Sequence, residues 1–306
     1  MTLDQLRVFV AVAERLHVTQ AAAALNLTQS AASAAIAALE SGVGTPLFDR
    51  VGRGVALTAA GRLLLPEAKA VLNRLAQAVQ ALDDLHGLQR GHLALHASQT
   101  IAGYWLPPLM HRFRAAWPQV TLSLVIGNTA QVARAVLGGD ADLGFVEGDV
   151  VIQGARLRHD NPILARIPVT TDRMVLVVGG GHPWAGRAHL DAADLAGTGW
   201  VLRERGSGTR QVFEDALARF GVDPGRLDVR MELPSNEAVR AAVEAGAGAT
   251  VISRLVAAGG IASGSLVELP FAFPERRFTM LRRGDHHRSR AEAELLSLIK
   301  VSDDDM

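Results

Sequence analysis

The stretch "VTQAAAALNLTQSAASAAIAALESG", residues 18–42, decides how the first part of this chain folds. Thr19 can cap a short helix of alanines, Asn26 can take the left-handed conformation that closes it, and Thr28 can cap a second helix that stops at Gly42. The pattern is helix, tight turn, helix. In the second helix Ala32, Ile36 and Leu39 share a face at i, i+4 and i+7, while Gln29, Ser30 and Ser33 lie on the other side near its start. A helix that enters the major groove needs small polar groups in its first turns to meet base edges and phosphates. An Ala-rich hairpin whose polar face meets water has the same spacing, so the flanking sequence has to separate the two readings.

Upstream, Thr2 and Gln5 form a capping box, and Leu3, Leu6, Val10 and Ala13 recur at helical spacing, which predicts a helix over residues 2–16. Downstream, "TPLFDRVGRGVALTAAG", residues 45–61, reads as a short hairpin with Gly52 and Gly54 around Arg53 at its tip and Arg50 beside it, before Thr58 caps a new helix. A glycine-framed arginine tip next to a recognition helix is a candidate wing, able to contact phosphates or enter a narrow minor groove. Solvated loop arginines are the plainer alternative. From Ala59 to about Leu85, two interleaved heptad series, Leu64, Val71, Ala78, Leu85 and Ala68, Leu75, Leu82, predict a seam that packs on a partner helix. Pro66 interrupts the first part of that helix and predicts a kink. Dimerisation through this linker is favoured over folding back on its own domain, because paired reading heads match a pseudo-palindromic site.

Composition narrows the alternatives. The 306 residues are enough for two or three units with real cores. No apolar run approaches the roughly 18 residues needed to span a bilayer, and the start lacks the pattern of a leader, so a soluble, cytoplasmic protein with no membrane partner is expected. There is no cysteine, hence no disulfide, thiolate metal site or cysteine nucleophile. The net charge is zero, so a nucleic-acid-binding surface must be a local one.

The order of helix pair, "LFDR" strand, "LTAAG" capped linker and following α/β region closely resembles LysR-type transcriptional regulators. The resemblance implies a winged helix-turn-helix DNA-binding domain over residues 1–58, all-α apart from its wing, a linker helix over 59–89, and a two-lobed effector domain over 90–306 similar to periplasmic solute-binding proteins. It also implies that Gln29, Ser30 and Ser33 touch DNA, that Thr19 and Thr28 cap helices and reach phosphates, and that Arg50 and Arg53 serve the wing. Many relatives carry Arg and Gln where this chain has Ala34 and Ala35, which leaves more of the readout to the wing and to DNA shape. Promoter DNA, a homodimer extended to a homotetramer, and contact with RNA polymerase are the partners the resemblance implies.

After Gly87 and Gly91, eight strand-like runs ("HLALHA", "VTLSLVI", "ADLGFVE", "RMVLVV", "WVLRE", "LDVRME", "ATVIS", "FTMLRR") alternate with helical runs over 106–116, 129–138, 208–220, 236–245 and 288–299. This predicts an α/β organisation with mostly parallel sheets. One lobe is expected over 90–162 and 267–306, the other over 163–266. Four strand-to-helix junctions carry small polar residues: Ser98, Gln99 and Thr100; Asn128 and Thr129; "RERGSGTR" over 203–210; and Ser235 with Asn236. Each alone is an ordinary N-cap, but four facing one cleft would form an anion site at helix starts. In "RERGSGTR", Gly208 and its neighbouring glycine permit close approach, Ser207 and Thr209 supply hydroxyls, and Arg203 or Arg210 supplies charge, with Glu204 able to consume part of it. No P-loop lysine is present, so a small oxyanion or carboxylate fits better than ATP. "RERGSGTR" and "SNEAV" resemble the branch of the family that senses metabolites of sulfur or carbon assimilation, which implies sulfite, sulfate or a phosphorylated metabolite as the ligand. Glu147, at the end of "GFVE", could orient a protonated ligand or lock Arg210, and the lock is the preferred reading. Tyr104 and Trp105 are expected on the cleft mouth or in the core.

No catalytic constellation emerges, and no cofactor or metal is expected. His92 and His96 share a strand face but stand roughly 13 Å apart at about 3.3 Å per residue, too far for one metal. His286 and His287 read as an exposed turn, and the serine of "GSG" has no evident base. Against the ligand-responsive transcription factor stands one other reading, an anion sensor or carrier whose N-terminal helices serve only protein association.

Overall fold

The computed structural model describes residues 1–52, 54–84, 91–148, 151–152, 155–156, 163–284 and 288–304. The chain divides into two compact units, Met1–His86 with Gly138–Asp140, and Gly87–Leu137 with Ala141–Met306.

In the first unit, helix α1 (Leu3–Arg15) starts at the expected capping box: the Gln5 amide donates to Thr2 Oγ1 at 3.3 Å, and the Thr2 amide donates to Gln5 Oε1 at 2.8 Å. Its buried arc is wider than the heptad-like spacing implied. Leu6, Val8, Phe9, Ala11, Val12 and Ala13 are buried, whereas Leu3 is exposed, because α1 packs against three other helices. Leu16 then turns left-handed, and helices α2 (Val18–Ala24) and α3 (Gln29–Val43) meet at 108°, with Asn26 left-handed between them at φ 54°. Thr28 caps α3 as read, its Oγ1 accepting from the Ala31 amide at 3.2 Å. Thr19 does not cap α2. The extended residue before the helix is His17, so Thr19 falls in the first turn with its side chain exposed. Helix α3 also runs past Gly42 and closes at Gly44, the residue that adopts positive φ.

The wing is a two-stranded antiparallel hairpin, β1 (Phe48–Val51) and β2 (Gly54–Leu57), with Gly52 at its turn; Arg53 lies outside the described residues. Glu40, in the last turn of α3, accepts from the amides of Leu47 and Phe48 at 2.7 and 3.2 Å and so fastens the wing to the recognition helix. Thr58 caps helix α4 (Ala59–Asp84), accepting from the Gly61 amide at 3.0 Å, and α4 continues through Pro66. Ala68 is buried in the unit, while Val71, Ala78 and Leu82 are exposed; Leu85 lies outside the described residues.

The second unit begins with β3 (Gly91–Ser98), a short π-helical turn over Ile101–Trp105, α5 (Leu106–Ala116), β4 (Val120–Gly127), α6 (Thr129–Gly138), β5 (Leu143–Glu147) and a small ribbon of β6 (Val151–Ile152) with β7 (Ala155–Arg156). It continues through β8 (Leu164–Asp172), β9 (Met174–Gly179), β10 (Gly199–Arg203), α7 (Gly208–Arg219), β11 (Asp228–Leu233), α8 (Asn236–Glu244) and β12 (Ala249–Ser253). It ends with α9 (Arg254–Ser263), β13 (Leu266–Glu268), β14 (Arg276–Arg283) and α10 (Arg290–Asp304). Two five-stranded sheets result, ordered β4-β3-β5-β14-β8 and β11-β10-β12-β9-β13, and these are the two lobes. All eight strand-like runs of the sequence appear in them.

Two expectations change. The sheets are not mostly parallel: β3 pairs in parallel with β4 and β5, and β10 with β11 and β12, but the pairs made by β9 and β14 are antiparallel. Strands that enter a lobe directly from the other lobe have no crossover helix before them, so they are not constrained to run parallel. The lobe crossings also move. Residues 164–172 hydrogen-bond to β14 from Leu164↔Arg283 to Asp172↔Arg276, which places the first crossing at Arg173 rather than near residue 162. The return lies over residues 269–275 rather than near 267, because β13 pairs with β9. Leu93, Leu95, Phe113, Phe145, Phe278 and Met280 form the core of the first lobe, and Leu176, Trp200, Leu202 and Phe213 that of the second.

Candidate functional site

The four polar junctions come together. Asn236, at the start of α8, donates through Nδ2 to Thr100 Oγ1 at 3.0 Å, its amide donates to Gln99 Oε1 at 2.9 Å, and Gln99 Nε2 donates to the Pro234 carbonyl at 2.7 Å. Ser235 caps α8 at the Ala238 amide, 3.0 Å away. From the other side, Thr129 Oγ1 donates to the Glu147 carbonyl at 3.0 Å, and Asn128 Nδ2 donates to Glu204 Oε1 at 3.3 Å. Residues of β3, α6 and β5 in one lobe thus face α7 and α8 in the other.

At the centre lies a residue the sequence reading did not single out. Arg276, buried with a side-chain exposure of 2%, donates from Nε to Asp172 Oδ2 at 2.6 Å and from Nη1 to Thr209 Oγ1 at 3.0 Å, and its Nη1 stands 3.8 Å from Glu147 Oε1. Ser98 donates to Glu147, Thr209 donates to it at 3.4 Å, and Ser253 Oγ donates to Asp172 at 2.8 Å. Glu147 therefore does not lock Arg210; it belongs to the Arg276 cluster. Alternation could have shown this, since Arg276 shares the inward face of β14 with the buried Phe278 and Met280, while Arg277 points outward and is exposed. Asp172 carried no such signal, because β8 itself was not read as a strand.

The arginines of "RERGSGTR" divide differently from the expectation. Arg203 is buried and spends its charge on Glu204, at 2.8 and 3.0 Å, and on Asn236 Oδ1. Arg210 is buried against Glu214 at 2.7 Å, the Arg203 carbonyl at 3.0 Å, and Glu232. Arg205 is exposed, and among the described residues it has no ion-pair partner. It lines a cavity of about 220 Å³ at the starts of α6 and α7, together with Thr129, Gly206 and Ser207. Gly206 has φ 88°, a conformation that favours glycine, and the Ser207 hydroxyl does not cap α7. Gly208 is needed for another reason: a Cβ there would stand 2.1 Å from the Glu147 carbonyl oxygen, so α7 can seat against β5 only without a side chain.

The Arg203–Glu204 pair has a pH signature. Burial pushes the Glu204 carboxyl up, but hydrogen bonding and charge from Arg203, with help from the Asn128 amide, outweigh it and hold the carboxyl below its ordinary value. A depressed carboxylate stabilises the fold fully above its unfolded value of 4.5 and loses that contribution as pH falls through the lower folded value. Glu204→Gln is accordingly expected to flatten the acid limb of the melting profile below that pH, and an identical acid limb in the two proteins would contradict the pairing.

In the first unit, Thr19, Thr28, Gln29, Ser30 and Ser33 are exposed around the turn between α2 and α3, and Arg50 is exposed on the wing. Thr28 Oγ1 and Ser30 Oγ are 3.0 Å apart. Ala34 is exposed and Ala35 half-buried, so only the first of the two alanine positions adds to this face. Among the described residues no cluster of His, Asp and Glu could hold a metal ion. His92 spends its ring nitrogens on Thr121 and Ser123, Trp105 packs on Phe145 and Phe278, and Tyr104 donates to Glu237 at 3.4 Å; His286 and His287 lie outside the described residues.

A winged helix-turn-helix in one unit and a two-lobed α/β cleft in the other define a ligand-responsive DNA-binding regulator. The bacterial regulatory helix-turn-helix model of the lysR family matches residues 3–62, and the LysR substrate binding domain model matches residues 86–302. The uncharacterized HTH-type transcriptional regulator YeiE of Escherichia coli is 36% identical over 290 residues, 95% of this chain and 92% of that protein. A probable RuBisCO transcriptional regulator of Cyanidioschyzon merolae is 36% identical over 252 residues, 82% of this chain and 81% of that protein. Full-length CbnR complexed with its target DNA has the same fold, with a TM-score of 0.70 at 21% identity over 99% of this chain and 100% of that one. The regulatory domain of CcmR from Synechocystis, in complex with 2-PG, gives a TM-score of 0.60 at 27% identity over 69% of this chain and 97% of that one. The chain belongs to the LysR family: it is a LysR-type transcriptional regulator with an effector-binding domain. The relatives named here are regulators and not enzymes.

Proposed function

We propose that this regulator reads promoter DNA through Gln29, Ser30 and Ser33 with Arg50 on the wing, and that a small anion at the starts of α6 and α7 controls the reading. The observation that carries the effector half is Arg205. It lines a cavity beside Thr129, Gly206 and Ser207, while its neighbours Arg203 and Arg210 are held by carboxylates. A helix start, the Ser207 hydroxyl and an uncommitted guanidinium suit sulfite, sulfate or a phosphorylated metabolite. The 2-PG complex of CcmR supports an effector of this size in the same kind of domain.

The exposed stripe of Val71, Ala78 and Leu82 on α4 is the surface through which two chains pair, and association of effector domains extends the pair to a homotetramer. An anion that favours one arrangement of the lobes changes the spacing of the paired heads, and with it the DNA bend and the access of RNA polymerase. The test is a thermal-shift panel of sulfite, sulfate, inorganic phosphate and 2-PG on the full chain and on Arg205→Gln. At a hundred times its dissociation constant an effector stabilises by about 2.7 kcal/mol. The shift should vanish in the variant, and an unchanged shift overturns the assignment of Arg205. In parallel, Arg50→Ala should weaken binding to the chain's own upstream DNA and lower its salt dependence. Equal weak binding to every duplex would instead favour the anion sensor whose helices only mediate association.

A further inference from the structure

A second cavity lies on another face of α7. It measures about 310 Å³ and is lined by Val212, Asp215, Ala216 and Arg219 from that helix. The first cavity takes Arg210, Gln211 and Glu214 from the same helix, so at 3.6 residues per turn the two sets are roughly 140° apart around it. The remaining wall of the second cavity comes from the other lobe and the return crossing: Arg166 and Pro168 on β8, Pro274 and Glu275 before β14, and Arg277 on it. An occupant would therefore touch both lobes at their hinge.

The chemistry of the wall is mixed in a way that suits an organic acid. Pro168, Val212, Ala216 and Pro274 supply apolar surface. Arg219 and Arg277 set two guanidinium side chains on this wall, and Arg276 is held by Asp172 and Glu147. Arg219 and Arg277 are exposed, and among the described residues neither is in an ion pair. The volume is at the lower end of the range, roughly 300 to 1,000 Å³, that small-molecule sites occupy.

We propose that this hinge cavity is a second ligand site, taking a small organic acid whose carboxylate meets Arg219 and Arg277 and whose apolar body lies on Pro168, Val212 and Ala216. Its occupation is coupled to the anion site across α7. Arg276 lines the cavity and also bonds Thr209 at the start of that helix, and Gly148 lines it next to Glu147, which Thr209 and Ser98 bond. Both ligands bear on the seating of one helix, and such a coupling acts equally in both directions. The coupling rests on the proposed effector site, whereas the hinge site does not.

The test is calorimetric titration of the full chain with benzoate and hexanoate as aromatic and aliphatic acid probes, and with sulfate as the small oxyanion, in wild type, Arg205→Gln and the double variant Arg219→Gln/Arg277→Gln. The double variant changes only exposed side chains, and a melting curve checks that it folds. At least one organic acid should bind wild type, at least tenfold more weakly to the double variant, and with unchanged affinity to Arg205→Gln. Binding that survives the double variant, binding lost in Arg205→Gln, or no binding of either acid to wild type overturns the site. Failure of sulfate alone, with acid binding intact and sensitive to the double variant, overturns the anion reading and the coupling but leaves the hinge site standing.

Discussion

Gly208→Ala is expected to melt the effector domain well below the wild type and to abolish any effect of ligand on it. The added Cβ would stand 2.1 Å from the Glu147 carbonyl oxygen and 2.6 Å from Thr129 Oγ1. The first of these neighbours is backbone in the central part of a sheet, so no rotamer change relieves it. Overpacking of this kind costs about 1–3 kcal/mol and occasionally more. At roughly 2–4 °C per kcal/mol for a domain of this size, the melting temperature should fall by about 2–12 °C. The start of α7 must then lift from β5, and with it go the Thr209–Glu147 and Thr209–Arg276 bonds that join the lobes. Gly206→Ala meets a different constraint, a left-handed backbone with no neighbour closer than 3.4 Å, and should cost less. Equal melting of Gly208→Ala and wild type would show that α7 does not sit where the structure places it.

The second large effect belongs to Arg276→Met. Glu147 and Asp172 each have side-chain exposures of 2%, and removal of the guanidinium leaves two buried carboxylates without their cation. Breaking a buried pair from one side costs about 3–5 kcal/mol, a fall on the order of 10 °C in melting temperature. Urea denaturation reads the loss directly, and adding Asp172→Asn to the variant should recover part of it. Unchanged stability of Arg276→Met would mean that the cluster does not act as an ion pair.

Much of this molecule was legible from local chemistry. The caps at Thr2, Thr28, Thr58 and Ser235 were readable because a hydroxyl and the amide it accepts from lie three residues apart. The eight strands were readable because apolar runs broken by glycine and polar turns have few other uses. Misses occurred where local signals conflict. Strand β8 carries Pro168 and a polar end, and α9 contains Gly259 and Gly260, so neither resembles its element until β14 or the second-lobe core covers it. Thr19 is a good capping residue in the wrong place, because the left-handed turn at Leu16 starts α2 earlier.

By itself the sequence determined most of the elements, the helix starts at Thr2, Thr28, Thr58 and Ser235, and the family, all of which depend on residues close together in the chain. Only the tertiary structure decided which arginines are spent on carboxylates. Asp172 and Arg276 are 104 residues apart, and Arg210 and Glu232 are 22 apart, so no local pattern could pair them. A buried cation must find its carboxylate wherever the fold brings one, and Arg203, Arg210 and Arg276 did so, while Arg205 stays exposed on the wall of a cavity.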